Sequence, residues 1–268
     1  IFPANSTADD RIEVYEDEGR SFLRGSDEDY NTILMGLPII KSARNFSNHS
    51  LTENYLFTSE AFTDYRASLE EEGHLIIITH YPNELFRLIT NAIASFHNQG
   101  LSTQEAMRRM VAIGMDSNPT LIIKNEEFSR AEIAGFQAIL ENFPVRGTTN
   151  YIPTLPQADF EYRESKEEEL KSRPRFNPAL YALSRGDLDL AGYVAQSDED
   201  ISAVRDDSPF FYRMERGLPR ELVIVAAFVL VILLLISSLF TYWNRKIIGR
   251  NERAASLKHF AAFLLIGF

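Results

Sequence analysis

The 268-residue sequence contains no cysteine, which excludes disulfides, thiol catalysis and cysteine metal sites. Histidine is scarce: His49, His74, His80, His97 and His259 are scattered, and no two have the spacing of a zinc site. No metal site is expected. Basic residues are outnumbered, 27 Lys and Arg against 38 Asp and Glu, for a net charge of −11. So acidic a chain lacks the basic surface that holds phosphates, and no nucleic-acid partner is expected. Internal repeats are also missing.

What the sequence does have is a split in character. Residues 221–268 carry five basic residues (Arg245, Lys246, Arg250, Arg253, Lys258) and two acidic ones (Glu221, Glu252). That net of +3 leaves −14 on residues 1–220, from the total of −11. Leu222 to Trp243 is an uncharged run, LVIVAAFVLVILLLISSLFTYW. As a helix it spans about 33 Å, the thickness of a bilayer core. Tyr242 and Trp243 suit an aromatic belt, and Arg245 and Lys246 follow at once. The lipid bilayer is the expected partner of this segment. The chain opens with Ile1 rather than Met and ends at Phe268 inside a second apolar run that begins at His259. Both ends are therefore expected to be cut, the chain being a fragment of a longer polytopic protein.

The acidic region reads as alternating strands and helices. Arg11 to Glu16 alternates, with Ile12 and Val14 on one face. Tyr30 to Gly36 is a second strand, and His74 to Thr79 a third whose unbroken apolar run suits burial on both faces. A helix is expected over 55–71, with Phe57, Ala61, Tyr65 and Leu69 recurring every four residues and Gly73 ending it through positive φ. Residues 83–97 are amphipathic, with Leu85, Leu88, Ile89, Ala92, Ile93 and Phe96 inward. Residues 103–112 read as helix and Thr120–Lys124 as a short strand. Ser129-Arg-Ala-Glu132 has the form of a capping box. It opens a helix to about Asn142, with Ile133, Phe136, Ile139 and Leu140 apolar. This rhythm predicts an α/β domain with a mainly parallel sheet, in which 11–16, 30–36 and 74–79 lie side by side.

Residues 144–176 break the rhythm with four prolines and the charged stretch Glu161–Lys171, a solvated insertion or linker. Short helices follow near 178–184 and 187–194. The domain reading is then 1–145 for the α/β part and 146–220 for the insertion and membrane-proximal helices. Residues 221–243 form the transmembrane helix, 244–258 a basic loop, and 259–268 the truncated start of a second span.

Four segments in order carry a resemblance. They are Glu16-Asp-Glu-Gly-Arg-Ser-Phe-Leu23, Tyr30-Asn-Thr-Ile-Leu-Met-Gly36, Leu56-Phe-Thr-Ser-Glu-Ala-Phe62, and Leu69 through Gly73 to Ile78. Asp206-Asp-Ser-Pro-Phe-Phe211 stands before the apolar run. Together they resemble the spermidine/spermine synthase family, the polyamine aminopropyltransferases, and more closely its multi-spanning membrane subgroup. The resemblance covers residues 11–142 and 200–268. It implies a Rossmann-like sheet of the S-adenosyl-methionine-dependent methyltransferase type, present here as a partial sheet followed by a transmembrane helix. It also implies a cofactor, S-adenosyl-methionine or its decarboxylated form, and a nucleotide or polyamine as small-molecule partner. Asp17, Glu18 and Gly19 would stand at the adenine or ribose contact. The strand end that carries an amine-activating Asp in the family carries Gly36 here, and Asn31 replaces the usual strand Asp. No catalytic residue is therefore assigned, because glycine cannot act as a base. The family's Gly-rich first turn is expected upstream of Ile1. The site prediction is that Asp17, Glu18 and Gly36 converge on one cleft at the carboxyl edge of the sheet.

Weaker signals remain open. Asn5, Asn45 and Asn48 fit the glycosylation acceptor pattern. His80 follows a strand end and either faces a ligand or lies on the surface. Asp206 and Asp207 either bind a cation or belong to a junction packed by Pro209, Phe210 and Phe211. Two functions compete. One is a membrane-anchored spermidine-synthase-like protein, catalytic or degenerate, in a bacterial inner membrane with a cytoplasmic soluble domain. The other is a type I single-pass membrane protein with an acidic ectodomain for adhesion or sensing.

Overall fold

The computed structural model describes residues 12–36, 53–114, 118–142, 149–153, 175–217 and 220–247. The chain divides into two units, Ile1–Met214 and Glu215–Phe268. The sequons, the Glu161–Lys171 stretch and the second apolar run all lie outside the described residues.

The first unit is built on a four-stranded sheet in the order β1-β2-β4-β3. Its strands are β1 (Tyr30–Gly36), β2 (Leu69–Ile78), β3 (Met110–Ile113) and β4 (Thr120–Lys124). β1 and β2 are parallel, with Ile33 opposite Leu75 and Gly36 opposite Ile78. β4 is antiparallel to both β2 and β3. β1, β2 and β3 therefore run one way, and β4 alone runs against them. The sheet is mixed.

Of the strand expected at 11–16, the described residues 12–16 form none. Among the described residues no strand lies beside them, and Ile12 and Val14 stay 54% and 61% exposed. Alternation marks a half-buried strand only where a sheet exists to receive it. The chain there leads into α1 (Gly19–Gly25).

The expected helix over 55–71 is shorter. A 3-10 turn (Tyr55–Phe57) leads into α2 (Ser59–Ala67), and Leu69 already belongs to β2. The four-residue ladder is nonetheless buried throughout, from Phe57 through Ala61 and Tyr65 to Leu69. The helix stops because the Asn125 amide donates to the Arg66 carbonyl at 2.8 Å, while Ser68 caps with its own N–H on Asp64 and Tyr65. Gly73 is not the helix terminator. It sits in β2 at a bulge where Tyr30 pairs with Leu69 but Thr32 pairs with His74. A Cβ there would lie 2.8 Å from the Tyr30 carbonyl oxygen, so close approach, not positive φ, explains the glycine.

The helix α3 (Pro82–His97) follows the expectation, and all six inward apolar residues are buried. Burying each such side chain stabilises by about 1.5–3 kcal/mol. The expected helix at 103–112 is cut short as α4 (Thr103–Met107). The Arg109 guanidinium takes the Glu105 carbonyl at 2.7 Å, and 110–113 extend to pair with β4. α5 (Arg130–Asn142) carries the predicted capping box: Glu132 N donates to Ser129 Oγ, and Ser129 N donates to Glu132 Oε2. Ile139 departs from the expected inward face and is 51% exposed.

Two cores result. On one face Leu75, Ile77, Leu121 and Ile123 pack with α2, α3 and α4. On the other face Val111 and Ile122 pack with Phe128, Ile133 and Leu140. β1 gains little from this second core, and Leu34 remains 62% exposed. A short pair, β5 (Thr149–Asn150) and β6 (Arg175–Phe176), leads to α6 (Pro178–Arg185) and α7 (Leu190–Gln196).

In the second unit α8 (Arg220–Ile247) is one continuous helix. Within it Leu222–Trp243 has a mean hydropathy of 3.2. It is long and apolar enough to cross a membrane.

Candidate ligand edge of the sheet

In open α/β sheets ligands bind beyond the carboxyl ends of parallel strands. Here that edge is formed by β1 and β2. Gly36 is the last residue of β1, exposed, with nothing within 4 Å of where a Cβ would stand. Its partner Ile78 is followed by Thr79, His80 and Tyr81 before α3 begins at Pro82. Thr79 is buried; its N–H donates to the Pro119 carbonyl at 2.8 Å and its hydroxyl bonds the Pro119 and Tyr81 carbonyls. The His80 N–H donates to Glu84 Oε2 at 3.2 Å. Glu84 is only 4% exposed, a carboxylate carried into the first turn of α3. Beside it Asn83 donates to Glu199 at 2.6 Å.

Asp17, Glu18 and Gly19 lie elsewhere in the local structure, at the start of α1. Glu18 is the N-cap: it accepts from the Arg20 N–H at 3.1 Å and from the Ser21 N–H and hydroxyl at 2.9 and 3.0 Å. Burial pushes its carboxyl up, but these hydrogen bonds outweigh it and hold the pKa below the ordinary value. Asp17 accepts from the Glu18 N–H at 2.7 Å. Both carboxylates thus organise the helix start, and no hydrogen bond among the described residues joins them to Gly36.

No protein-family model and no curated protein matches this chain.

The motif at 206–211 is an anchor inside the first unit. Arg20, buried at 6% exposure, grips Asp206 through two parallel bonds of 2.8 Å and Asp64 through a third of 2.6 Å. Thr58, the cap of α2, donates to the same Asp206 at 2.5 Å. Phe211 stacks on Phe57 with ring centroids 4.7 Å apart. Of the two readings of this motif, the packed junction is the one the geometry supports for Asp206. Among the described residues no group of three His, Asp or Glu is placed to hold a metal ion.

Sequence reasoning missed the polar side chains that make this anchor. Arg87 is 2% exposed and donates to the Phe211 and Arg213 carbonyls at 2.6 and 2.8 Å. Thr90 donates to the Ile201 carbonyl, and Asn91 joins the Phe57 carbonyl to the Val204 N–H. The available signal was three polar residues at i, i+3 and i+4 beside the apolar stripe of α3. Arg66 was missed as well. It stacks over Phe96 at 3.5 Å and donates to Asn125, Ser95 and Gln99, and its burial lowers the guanidinium pKa to about 10.

Proposed function

We propose that this protein is a membrane-anchored α/β module of the aminopropyltransferase type. It binds an S-adenosyl-methionine-type nucleotide at the carboxyl edge of its sheet. The observation that carries the reading is the parallel pair β1 and β2, joined through α2, with Gly36 and the Thr79–Tyr81 turn at one edge. Among the described residues β1 stands at the end of the strand order, which leaves room for a sheet that continues past it. In this reading further strands lie along that edge and bring the Asp17–Gly19 turn to the ligand. The sheet is then of the Rossmann-like methyltransferase type.

Leu222–Trp243 anchors the module in the bilayer. A soluble unit on the cytoplasmic side of a bacterial inner membrane suits a chain without cysteine. Because Gly36 has no side chain to accept a proton, aminopropyl transfer lacks its usual acid, and the module acts as a nucleotide-binding protein.

The test is equilibrium binding of tritiated S-adenosyl-methionine and of its decarboxylated form to the detergent-solubilised protein. Transfer to putrescine is assayed in parallel. The expected result is binding without transfer. Failure to bind either nucleotide overturns the reading. Protease protection on sealed vesicles reports the side of the soluble unit.

A further inference from the structure

The surface of α8 is unevenly covered, and the unevenness follows the helical repeat. Leu230, Leu234, Leu235 and Leu239 are 59–62% exposed, whereas Leu233 is half-buried. Phe228 is 66% exposed, whereas Phe240 is half-buried. The contrast holds within one residue type, so side-chain size does not produce it. Val229 and Ile232 fall to 41% and 39%, and Ser237 and Thr241 are half-buried as well. At 3.6 residues per turn these positions share one side of the helix. The stripe starts at Val229. From Leu222 to Phe228 the large apolar residues stay 48–66% exposed. The covered part is thus the half of the span that leads into residues 248–268.

We propose that this stripe is the docking face for the chain's own second apolar run, His259 to Phe268, which folds back antiparallel to α8 as a helical hairpin in the bilayer. The run belongs to the same unit as α8, Glu215–Phe268. As a helix its ten residues reach about 15 Å, against about 18 Å from Val229 to Thr241. The eleven residues 248–258 between them include Gly249 and Asn251, which suit a turn. At about 3.3 Å per extended residue they easily cross the roughly 8–10 Å between packed helix axes. Composition fits as well. In lipid, helices associate through close packing, for which small residues at the contact are needed. Ser237 and Thr241 supply them on α8, and Ala261, Ala262 and Gly267 in the run. The Thr241 hydroxyl already donates to the Ser238 carbonyl at 2.8 Å, so the face asks no polar partner of an apolar segment.

The experiment exploits the absence of cysteine, since every thiol is then an introduced one. The full chain is placed in lipid vesicles and oxidised with copper phenanthroline. Ser237→Cys is combined in turn with Ala261→Cys, Ala262→Cys, Phe263→Cys and Leu264→Cys. Ser238→Cys, on the exposed side of α8, is combined with the same four. Serine and cysteine are close in size, and thermal unfolding checks that each variant folds as the unaltered protein does. A disulfide needs Cβ atoms within about 4.5 Å, so the best Ser237 pair is expected to close within the chain about tenfold faster than any Ser238 pair. Equal rates from the two sides, or no disulfide within the chain, overturn the proposal. A disulfide between chains through Ser237 also overturns it and gives the face to a second copy. None of these outcomes depends on nucleotide binding.

Discussion

Arg20 and Asp206, 186 positions apart, form a two-point ion pair through Nη1 and Nη2 at 2.8 Å each. The pair ties the first helix to the segment that ends the first unit. Arg20→Lys keeps the charge but loses the planar fork, and is expected to cost about 1–3 kcal/mol. Arg20→Ala strands both Asp64 and Asp206 and costs more. Thermal unfolding of Arg20→Ala, Asp206→Ala and the double variant checks this. Strictly additive losses would show that the pair contributes nothing of its own.

Asn91→Ala should be as damaging, for a different reason. It leaves the Val204 N–H and the Phe57 carbonyl buried without their partner. Two such groups cost about 2–4 kcal/mol together. The thermal midpoint reads the loss, and a midpoint within a degree of the unaltered protein contradicts it.

Glu132 predicts a pH dependence. Burial raises its carboxyl pKa, but the hydrogen bonds from Lys124 and Ser129 prevail and bring it from 4.5 down to about 2. The folded state therefore binds fewer protons than the unfolded state between those values. The stabilisation is complete above pH 4.5 and is lost as the pH falls toward 2. Glu132→Gln removes this part of the slope. The unaltered protein should lose thermal stability more steeply than the variant across that window.

Two glycines should respond in opposite ways. Gly36→Asp adds a side chain into open space and should change stability by less than about 0.5 kcal/mol. Gly73→Ala drives a methyl group against the Tyr30 and Glu70 carbonyls and should cost about 1–3 kcal/mol. Thermal midpoints compare them, and equal losses would mean the bulge is looser than described.

Periodicity made part of this fold legible. The six inward residues of α3, the capping box of α5 and the strand Thr120–Lys124 follow from spacing alone, because each depends on neighbours close in sequence. The end of α2 at Ala67 and the switch at Met110 depend on Asn125 and β4, which approach only in the folded chain. For the same reason the alternation read over 11–16 misled in its described part: it reports a preference, and only pairing makes a strand. Gly36 was legible as a strand end and His80 as a residue just past one. Glu84 was not, since nothing in a helix's first turn announces that its carboxylate folds back onto the preceding backbone.

The clasp between α3 and residues 200–214 sets where the first unit can be cut. Arg87 holds the Phe211 and Arg213 carbonyls, and the Asp200 N–H bonds the Met214 carbonyl at 2.8 Å. A water-soluble version made by truncation must therefore keep every residue through Met214. Stopping short of Asp200 would uncover Phe57, leave Arg87 without its partners and take Asp206 from Arg20, so that the shorter product precipitates although it has shed the greasy helix.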